Sequence, residues 1–105
     1  VGDHLLASEF APRVHNSGHW SDRGCKTSQF ENHWRAILGW PLGETSTLGA
    51  CRLINLLGQI PSPPPPGACL YGKAPRPGRK VGHITLVAES AAEVDGLREK
   101  HMEHV

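Results

Sequence analysis

The fold of this chain is decided by the stretch Tyr71-Gly72-Lys73-Ala74-Pro75-Arg76-Pro77-Gly78-Arg79-Lys80-Val81-Gly82-His83. Its prolines fix the backbone and its glycines permit positive φ, so the stretch predicts a shaped turn. An apolar segment precedes it at residues 68–71, and another follows it at residues 83–88. A strand, a glycine-rich turn and a second strand together indicate a hairpin.

The same stretch carries four cations and no acidic residue. These cations are Lys73, Arg76, Arg79 and Lys80. A guanidinium fork matches phosphate oxygens bidentately, and a sheltered charge-assisted hydrogen bond is worth roughly 1.5–3 kcal/mol. The pattern therefore predicts an anion-binding loop at or near the hairpin tip, with a solvated basic turn as the alternative.

A helix is predicted soon after residue 28. Ser28 followed by Glu31 is a capping box, in which each side chain satisfies a free backbone N–H. Apolar residues then recur at helical spacing at Phe30, Trp34, Ile37 and Leu38. Gly39 can end this helix and Pro41 prevents its continuation.

The remaining elements complete an α+β pattern. We expect strands at residues 3–7, from Leu5 and Leu6, and at residues 50–57. Residues 60–67 contain five prolines. We expect an extended connector here rather than a ligand for an SH3-type domain. Ser90 caps a last helix over residues 91–101.

Composition narrows the class of protein. The chain has 105 residues, a net charge of +1 and 38% apolar residues, which fits neither a nucleic-acid-coating nor a disordered protein. It begins with Val1, so we expect a piece of a longer protein. No membrane span or signal peptide is visible. Three widely spaced cysteines indicate reduced thiols and a cytoplasmic protein, with Cys51 and Cys69 as small core residues.

A second set of chemically useful side chains lies in the polar segment between residues 9 and 20. Arg13, His15, Asn16 and Ser17 are donors suited to an anion, and Glu9 is a hard oxygen ligand suited to Mg²⁺. The seven histidines show no zinc-binding spacing, and no serine lies in a nucleophile elbow. Two donor sets and one acid suit phosphoryl chemistry, provided that ATP is bound by residues outside this sequence.

Three motifs in order resemble the N5-carboxyaminoimidazole ribonucleotide synthetase family of ATP-grasp enzymes, and the resemblance extends over residues 5–88. The motifs are Glu9-Phe-Ala-Pro-Arg-Val-His-Asn-Ser-Gly-His-Trp, Thr27-Ser-Gln-Phe-Glu, and Tyr71-Gly-Lys with Arg76-Pro-Gly-Arg-Lys-Val-Gly-His. Ser8 stands where the family usually has Asn, and the connector at residues 59–67 is shorter and richer in proline than the family's.

The resemblance implies a domain division and a reaction. Residues 1–49 would end the ATP-grasp domain, and residues 50–105 would form a small β-rich C-terminal domain with the basic hairpin and a terminal helix. The family's reaction converts ATP, bicarbonate and 5-aminoimidazole ribonucleotide to the N5-carboxy product, ADP and phosphate, in purine biosynthesis. It also implies a homodimer for the full-length enzyme, and an inactive fragment here.

The resemblance also implies roles for individual residues. Glu9 would be one of the Mg²⁺-binding carboxylates near the ATP phosphates. The pocket for bicarbonate, carboxyphosphate and the ribonucleotide would be lined by Arg13, His15, Asn16 and Ser17. Lys73 and Arg79 would hold the ribonucleotide 5′-phosphate, supported by Arg76 and Lys80.

Two other classes of function remain open from the sequence. A nucleic-acid-binding module could use the basic loop, although the low net charge and the scarcity of aromatic residues among its cations argue against it. A packing or dimerisation module could use Trp34, Trp40 and the strand at residues 53–57, and this role is compatible with the enzymatic one.

Overall fold

The computed structural model describes residues 1–102 and confirms an α+β fold. A 3₁₀ turn, Asn16–Gly18, precedes a short helix α1, Ser21–Gly24, and the helix α2, Gln29–Ile37. The strands are β1, Ala50–Leu57, β2, Cys69–Leu70, and β3, Lys80–Ala88, and the helix α3, Ala91–Met102, follows. The strands form one antiparallel sheet in the order β1-β3-β2.

The core lies where α3 packs against the sheet. Leu56 from β1 and Ile84 from the central strand β3 are fully buried, and Val94 of α3 packs with them. Successive side chains of a strand point to opposite faces. His83 and Thr85 therefore point away from the face that carries Ile84, yet both are buried. The sheet thus has a second covered face, which contains polar groups and faces the site described below.

The hairpin predicted from residues 71–83 is confirmed. Cys69 pairs with His83 and Leu70 with Gly82, and the loop between β2 and β3 contains Lys73, Arg76 and Arg79. Lys80 belongs to β3 itself rather than to the loop. The strand before the loop, β2, spans only two residues. The next residue, Tyr71, donates its N–H to the Val81 carbonyl but lies outside the regular ladder.

Helix α2 begins and ends where the sequence predicts. The Ser28 hydroxyl accepts the Glu31 N–H at 3.1 Å, and Gly39 adopts a φ of +69° just beyond the last turn. The capping box is only half formed, because the Glu31 carboxylate instead accepts from Arg35 Nε at 2.7 Å. The apolar stripe of α2 is exposed, with Trp34 at 63% and Ile37 at 61%.

Two further sequence expectations are wrong. Residues 3–7 form no strand, since no other segment of residues 1–102 pairs with them, and the Leu5 side chain is fully exposed. Cys69 is exposed rather than buried, because β2 is an edge strand with both residues open to solvent. The three cysteines are free, as expected for reduced thiols.

Among the described residues, no helix is long and apolar enough to cross a membrane.

The close approach of β2 to β3 generates a stability prediction. A Cβ at Gly82 would lie 2.5 Å from the Cys69 carbonyl oxygen, so the Gly82→Ala substitution must separate the two strands. We expect it to lower the free energy of unfolding by about 1–3 kcal/mol in chemical denaturation. The matched control is Gly96→Ala in α3, where a Cβ meets nothing within 4 Å; it should raise stability by about 1 kcal/mol. Equal effects of the two substitutions would contradict the close packing of these strands.

Candidate functional site

The segment between Glu9 and Trp20 is organised by the side chain of His15. His15 precedes the 3₁₀ turn, and its Nδ1 accepts the Ser17 N–H at 3.2 Å and lies 2.9 Å from the Ser17 hydroxyl oxygen. On the other side of the ring, Nε2 lies 3.3 Å from Glu9 Oε1. Because Nδ1 accepts a hydrogen bond, a neutral His15 carries its proton on Nε2, directed at the Glu9 carboxylate.

Asn16 connects this segment to the sheet. Its Nδ2 donates to Asn55 Oδ1 of β1 at 3.0 Å, and its Oδ1 accepts from Lys80 Nζ of β3 at 3.0 Å. An ammonium group can only donate, so Lys80 determines which end of the Asn16 carboxamide faces it. The predicted substrate segment and the end of the basic hairpin therefore meet at one side chain.

Next to Asn16 lies a cluster of rings on the polar face of the sheet. His19 stacks on Phe30 with ring centroids 5.5 Å apart and lies 5.4 Å from the ring of His83. The Tyr71 hydroxyl oxygen lies 2.6 Å from His83 Nδ1. The cluster places the start of α2 and the polar segment against β3, which forms the floor of the site.

The electrostatics of the cluster favour neutral imidazoles. Burial lowers the pKa of His19 below its ordinary value, and the nearby charges of His15 and Lys80 lower it further. Burial also lowers the pKa of His83, with a further contribution from His19, and burial raises the pKa of the Tyr71 phenol. Both imidazoles are therefore shifted towards their neutral forms.

The other predicted anion-binding cations lie around the hairpin loop. Lys73 Nζ lies 5.7 Å from the centre of the Tyr71 ring, and Arg79 Nη1 donates to the Ala74 carbonyl at 3.3 Å. Arg76 lines a cleft of about 700 Å³ between the loop and the end of β1. Arg13 is exposed and donates to the Val14 carbonyl. Within residues 1–102, only Lys80 of the hairpin cations is hydrogen-bonded to the 9–20 segment.

Sequence patterns assign no role to five residues of the site, namely His19, Gln29, Asn55, Tyr71 and His83. Asn55 and His83 are polar residues within largely apolar strands, at paired positions of β1 and β3. A polar residue in a strand that is expected to be buried indicates a hydrogen-bonded partner nearby, because burying a polar group without one costs free energy. The pairing that brings the two together cannot be deduced from either strand separately.

Glu9 is suited to share in a metal site but not to form one alone. The described residues contain no group of three or more His, Cys, Asp or Glu side chains placed to hold a metal ion. The Glu9 side chain is 71% exposed, which leaves its second oxygen accessible. Mg²⁺ is commonly held by one or two carboxylates together with phosphate oxygens and water, so the donor set here can contribute one ligand.

Comparison with known families matches both ends of the chain. Residues 1–30 match the family model described as the ATP-grasp domain. Residues 51–96 match the model described as the phosphoribosylaminoimidazole carboxylase C-terminal domain.

Individual relatives agree with the family models. An N5-carboxyaminoimidazole ribonucleotide synthase of Vibrio cholerae serotype O1 is 47% identical over 100 residues, which covers 90% of this chain and 26% of that protein. The crystal structure of the synthetase from Thermus thermophilus superposes with a TM-score of 0.88 at 49% identity, over 100% of this chain and 31% of the other.

A third similar structure contains bound ligands. It is the N5-carboxyaminoimidazole synthase of Aspergillus clavatus in complex with ADP and 5-aminoimidazole ribonucleotide. Its TM-score is 0.75 at 34% identity, over 87% of this chain and 28% of that one. This chain thus spans about a quarter of the length of the curated relatives that it matches.

The lowered histidine pKa values generate a pH prediction. The pKa values of His19 and His83 are lower in the folded chain than their ordinary value of 6.5, so the unfolded chain binds more protons below that pH. The free energy of unfolding should be constant well above pH 6.5 and should fall as the pH drops through 6.5 towards the folded pKa values. Thermal unfolding between about pH 8 and about pH 5 measures this.

The matched variants for that experiment are His19→Gln and His83→Gln. Each should reduce the loss of stability on acidification, while all three proteins should show no pH dependence near about pH 8. An unchanged acid slope in both variants would contradict the assignment of the pH dependence to this cluster.

Proposed function

Because this chain belongs to the N5-carboxyaminoimidazole ribonucleotide synthase family, we propose that it supplies the ribonucleotide-binding part of an ATP-dependent carboxylating ligase of purine biosynthesis. The full-length enzyme forms carboxyphosphate from ATP and bicarbonate and transfers the carboxyl group to the amine of 5-aminoimidazole ribonucleotide. The products are the N5-carboxy ribonucleotide, ADP and phosphate. ATP is bound largely by residues outside this sequence.

The observation that carries the proposal is the contact between Lys80 and Asn16. In the proposed division, residues 1–49 end the ATP-grasp domain and residues 50–105 form the C-terminal domain, so this contact and the Asn16–Asn55 hydrogen bond join the two. A substrate with a phosphate at one end and a reacting amine at the other needs two such sites held at a fixed separation. The hydrogen bonds of Asn16 to Lys80 and Asn55 support such an arrangement, because they connect the hairpin and the sheet to the polar segment.

The hairpin cations hold the ribonucleotide 5′-phosphate in this proposal. Lys73 and Arg79 make the principal contacts, and Arg76 and Lys80 support them. The only hydrogen bond from the Arg79 side chain within residues 1–102 goes to the Ala74 carbonyl, through Nη1, so the other donors of its guanidinium remain available. A phosphate dianion bound here is favoured because no acidic side chain lies within the loop.

The polar segment faces the reacting groups. Arg13 and His15 neutralise the developing charge of carboxyphosphate, and the donors of Asn16 and Ser17 orient bicarbonate and the incoming amine. Glu9 supplies one carboxylate ligand of Mg²⁺, whose role when bound is to neutralise the ATP phosphates. The hydrogen bond between Glu9 and His15 holds the carboxylate beside this segment.

We further propose a cytoplasmic homodimer for the full-length enzyme. The three free thiols suit a reducing compartment. The exposed apolar side chains of α2 and its C-terminal flank, which include Trp34, Ile37 and Trp40, support a packing role for this helix in the complete protein. This packing role accompanies the enzymatic one and does not replace it.

The phosphate assignment predicts a selective kinetic defect. In the full-length enzyme, Arg79→Ala should raise the KM for 5-aminoimidazole ribonucleotide by about 10- to 100-fold, since one charge-assisted hydrogen bond is lost, while the KM for ATP should change little. The matched control is Arg98→Ala on the exposed surface of α3, which should change neither. Equal effects of Arg79→Ala on both substrates would contradict the assignment.

The division of the site predicts that the 105-residue chain alone is inactive. Incubated with ATP, Mg²⁺, bicarbonate and 5-aminoimidazole ribonucleotide, it should release no ADP above the rate without protein, because the groups that bind ATP are supplied by other residues. A coupled assay for ADP measures this, and the full-length enzyme is the positive control. Turnover by the isolated chain would refute the division.

A further inference from the structure

The side chain of Gln29 holds the polar segment by three contacts. Gln29 is the first residue of α2, and its Oε1 accepts the His15 N–H at 3.0 Å. Its Nε2 donates to the His15 carbonyl at 2.9 Å and lies 2.8 Å from His19 Nδ1. The carboxamide therefore satisfies the His15 N–H and one ring nitrogen of His19, and it shares the His15 carbonyl with the Gly18 N–H, which donates to the same oxygen at 2.9 Å.

The backbone packs tightly around this carboxamide. A Cβ at Gly18 would lie 2.5 Å from Gln29 Oε1, although Gly18 does not have the positive φ that requires glycine. Gly18 is therefore explained by the space that the Gln29 side chain needs. The Gln29 N–H also donates to Ser21 Oγ at 2.9 Å, and the Ser21 hydroxyl donates to the Gly18 carbonyl.

The three contacts require a neutral carboxamide. A carboxylate of the same shape could accept from the His15 N–H but has no hydrogen to donate to the His15 carbonyl. An aliphatic side chain would leave both backbone groups of His15 without these partners. Because Gln29 Nε2 is a donor, His19 Nδ1 must be an acceptor, and a neutral His19 carries its proton on Nε2.

We propose that Gln29 is a positioning residue that fixes the backbone between His15 and His19 and thereby directs the His15 and Asn16 side chains at the substrates. This inference rests on the proposed function for the identity of those substrates. The contacts by which Gln29 holds His15 and His19 do not depend on that function. His15 and Asn16 lie between the two points that Gln29 contacts, and their partners Glu9 and Lys80 lie outside the turn from His15 to His19. A displaced segment would break both contacts at once.

The decisive variant is Gln29→Glu in the full-length enzyme. The new carboxylate faces the His15 carbonyl without a hydrogen and faces His19 as an acceptor, so a protonated His19 Nδ1 becomes favourable. We expect the NMR titration midpoint of His19 to rise. The other groups that surround this ring, namely His15, Lys80, His83 and Asp22, are the same in the wild type and the variant. The kcat/KM for the ribonucleotide should fall by about 10- to 100-fold, with a smaller change in the KM for ATP.

The matched control is Asn32→Asp. It makes the same amide-to-carboxylate change on the same helix, and its Oδ1 can still accept the Gly43 N–H. It should leave both the His19 titration and the kinetics unchanged. An unshifted His19 in Gln29→Glu, or a shifted His19 with wild-type kinetics, would overturn the positioning role.

A double-mutant cycle of Gly18 and Gln29 tests whether the two residues act through the same contact. Gly18→Ala should displace the Gln29 carboxamide, so Gly18→Ala and Gln29→Ala should impair turnover through the same contact and their effects should not add. Additive effects would overturn the proposal. If the wild-type enzyme fails to consume 5-aminoimidazole ribonucleotide, the proposed function fails, and the His19 titration still decides whether Gln29 constrains this segment.

Discussion

The arrangement of the candidate site depends on the ammonium group of Lys80, which can donate hydrogen bonds but cannot accept them. This group orients the Asn16 carboxamide, whose nitrogen then donates to Asn55 of the neighbouring strand β1. A neutral residue at position 80 would leave the paired carboxamides of Asn16 and Asn55 free to reverse together. The polar segment is therefore attached to the sheet in one orientation, and the groups proposed to face substrate inherit that orientation.

The sheet can support this contact because β3 is its central strand. One face of β3 packs under α3 with Ile84 and Leu86, and the alternate residues His83 and Thr85 are buried on the other face. Burial lowers the pKa of the His83 imidazole, which favours its neutral form, and its Nδ1 lies 2.6 Å from the Tyr71 hydroxyl oxygen. The same strand thus contributes to the core and to the floor of the candidate site, so stability and the proposed function depend on one register.

Local patterns predicted the local elements well. The Ser28 cap, the Gly39 stop and the Ser90 cap mark real helix ends, and the glycine- and proline-rich turn joins two paired strands. The expectation of a strand at residues 3–7 failed because a strand needs a neighbour, which two leucines cannot specify. The exposed stripe of α2 shows the same limit, since periodicity indicates an apolar face without indicating what covers it.

The sequence by itself determined the α+β class and the family resemblance, and it supplied the residue types proposed for the site, namely the acid, the polar donors and the four cations. Only the tertiary structure decided that Lys80 meets Asn16, that Asn55 and His83 occupy paired positions of adjacent strands, and that Gln29 holds the turn beside them. The reason is separation along the chain. Caps and turns arise between residues a few positions apart, whereas Asn16 and Lys80 are brought together only by the pairing and packing of the whole sheet.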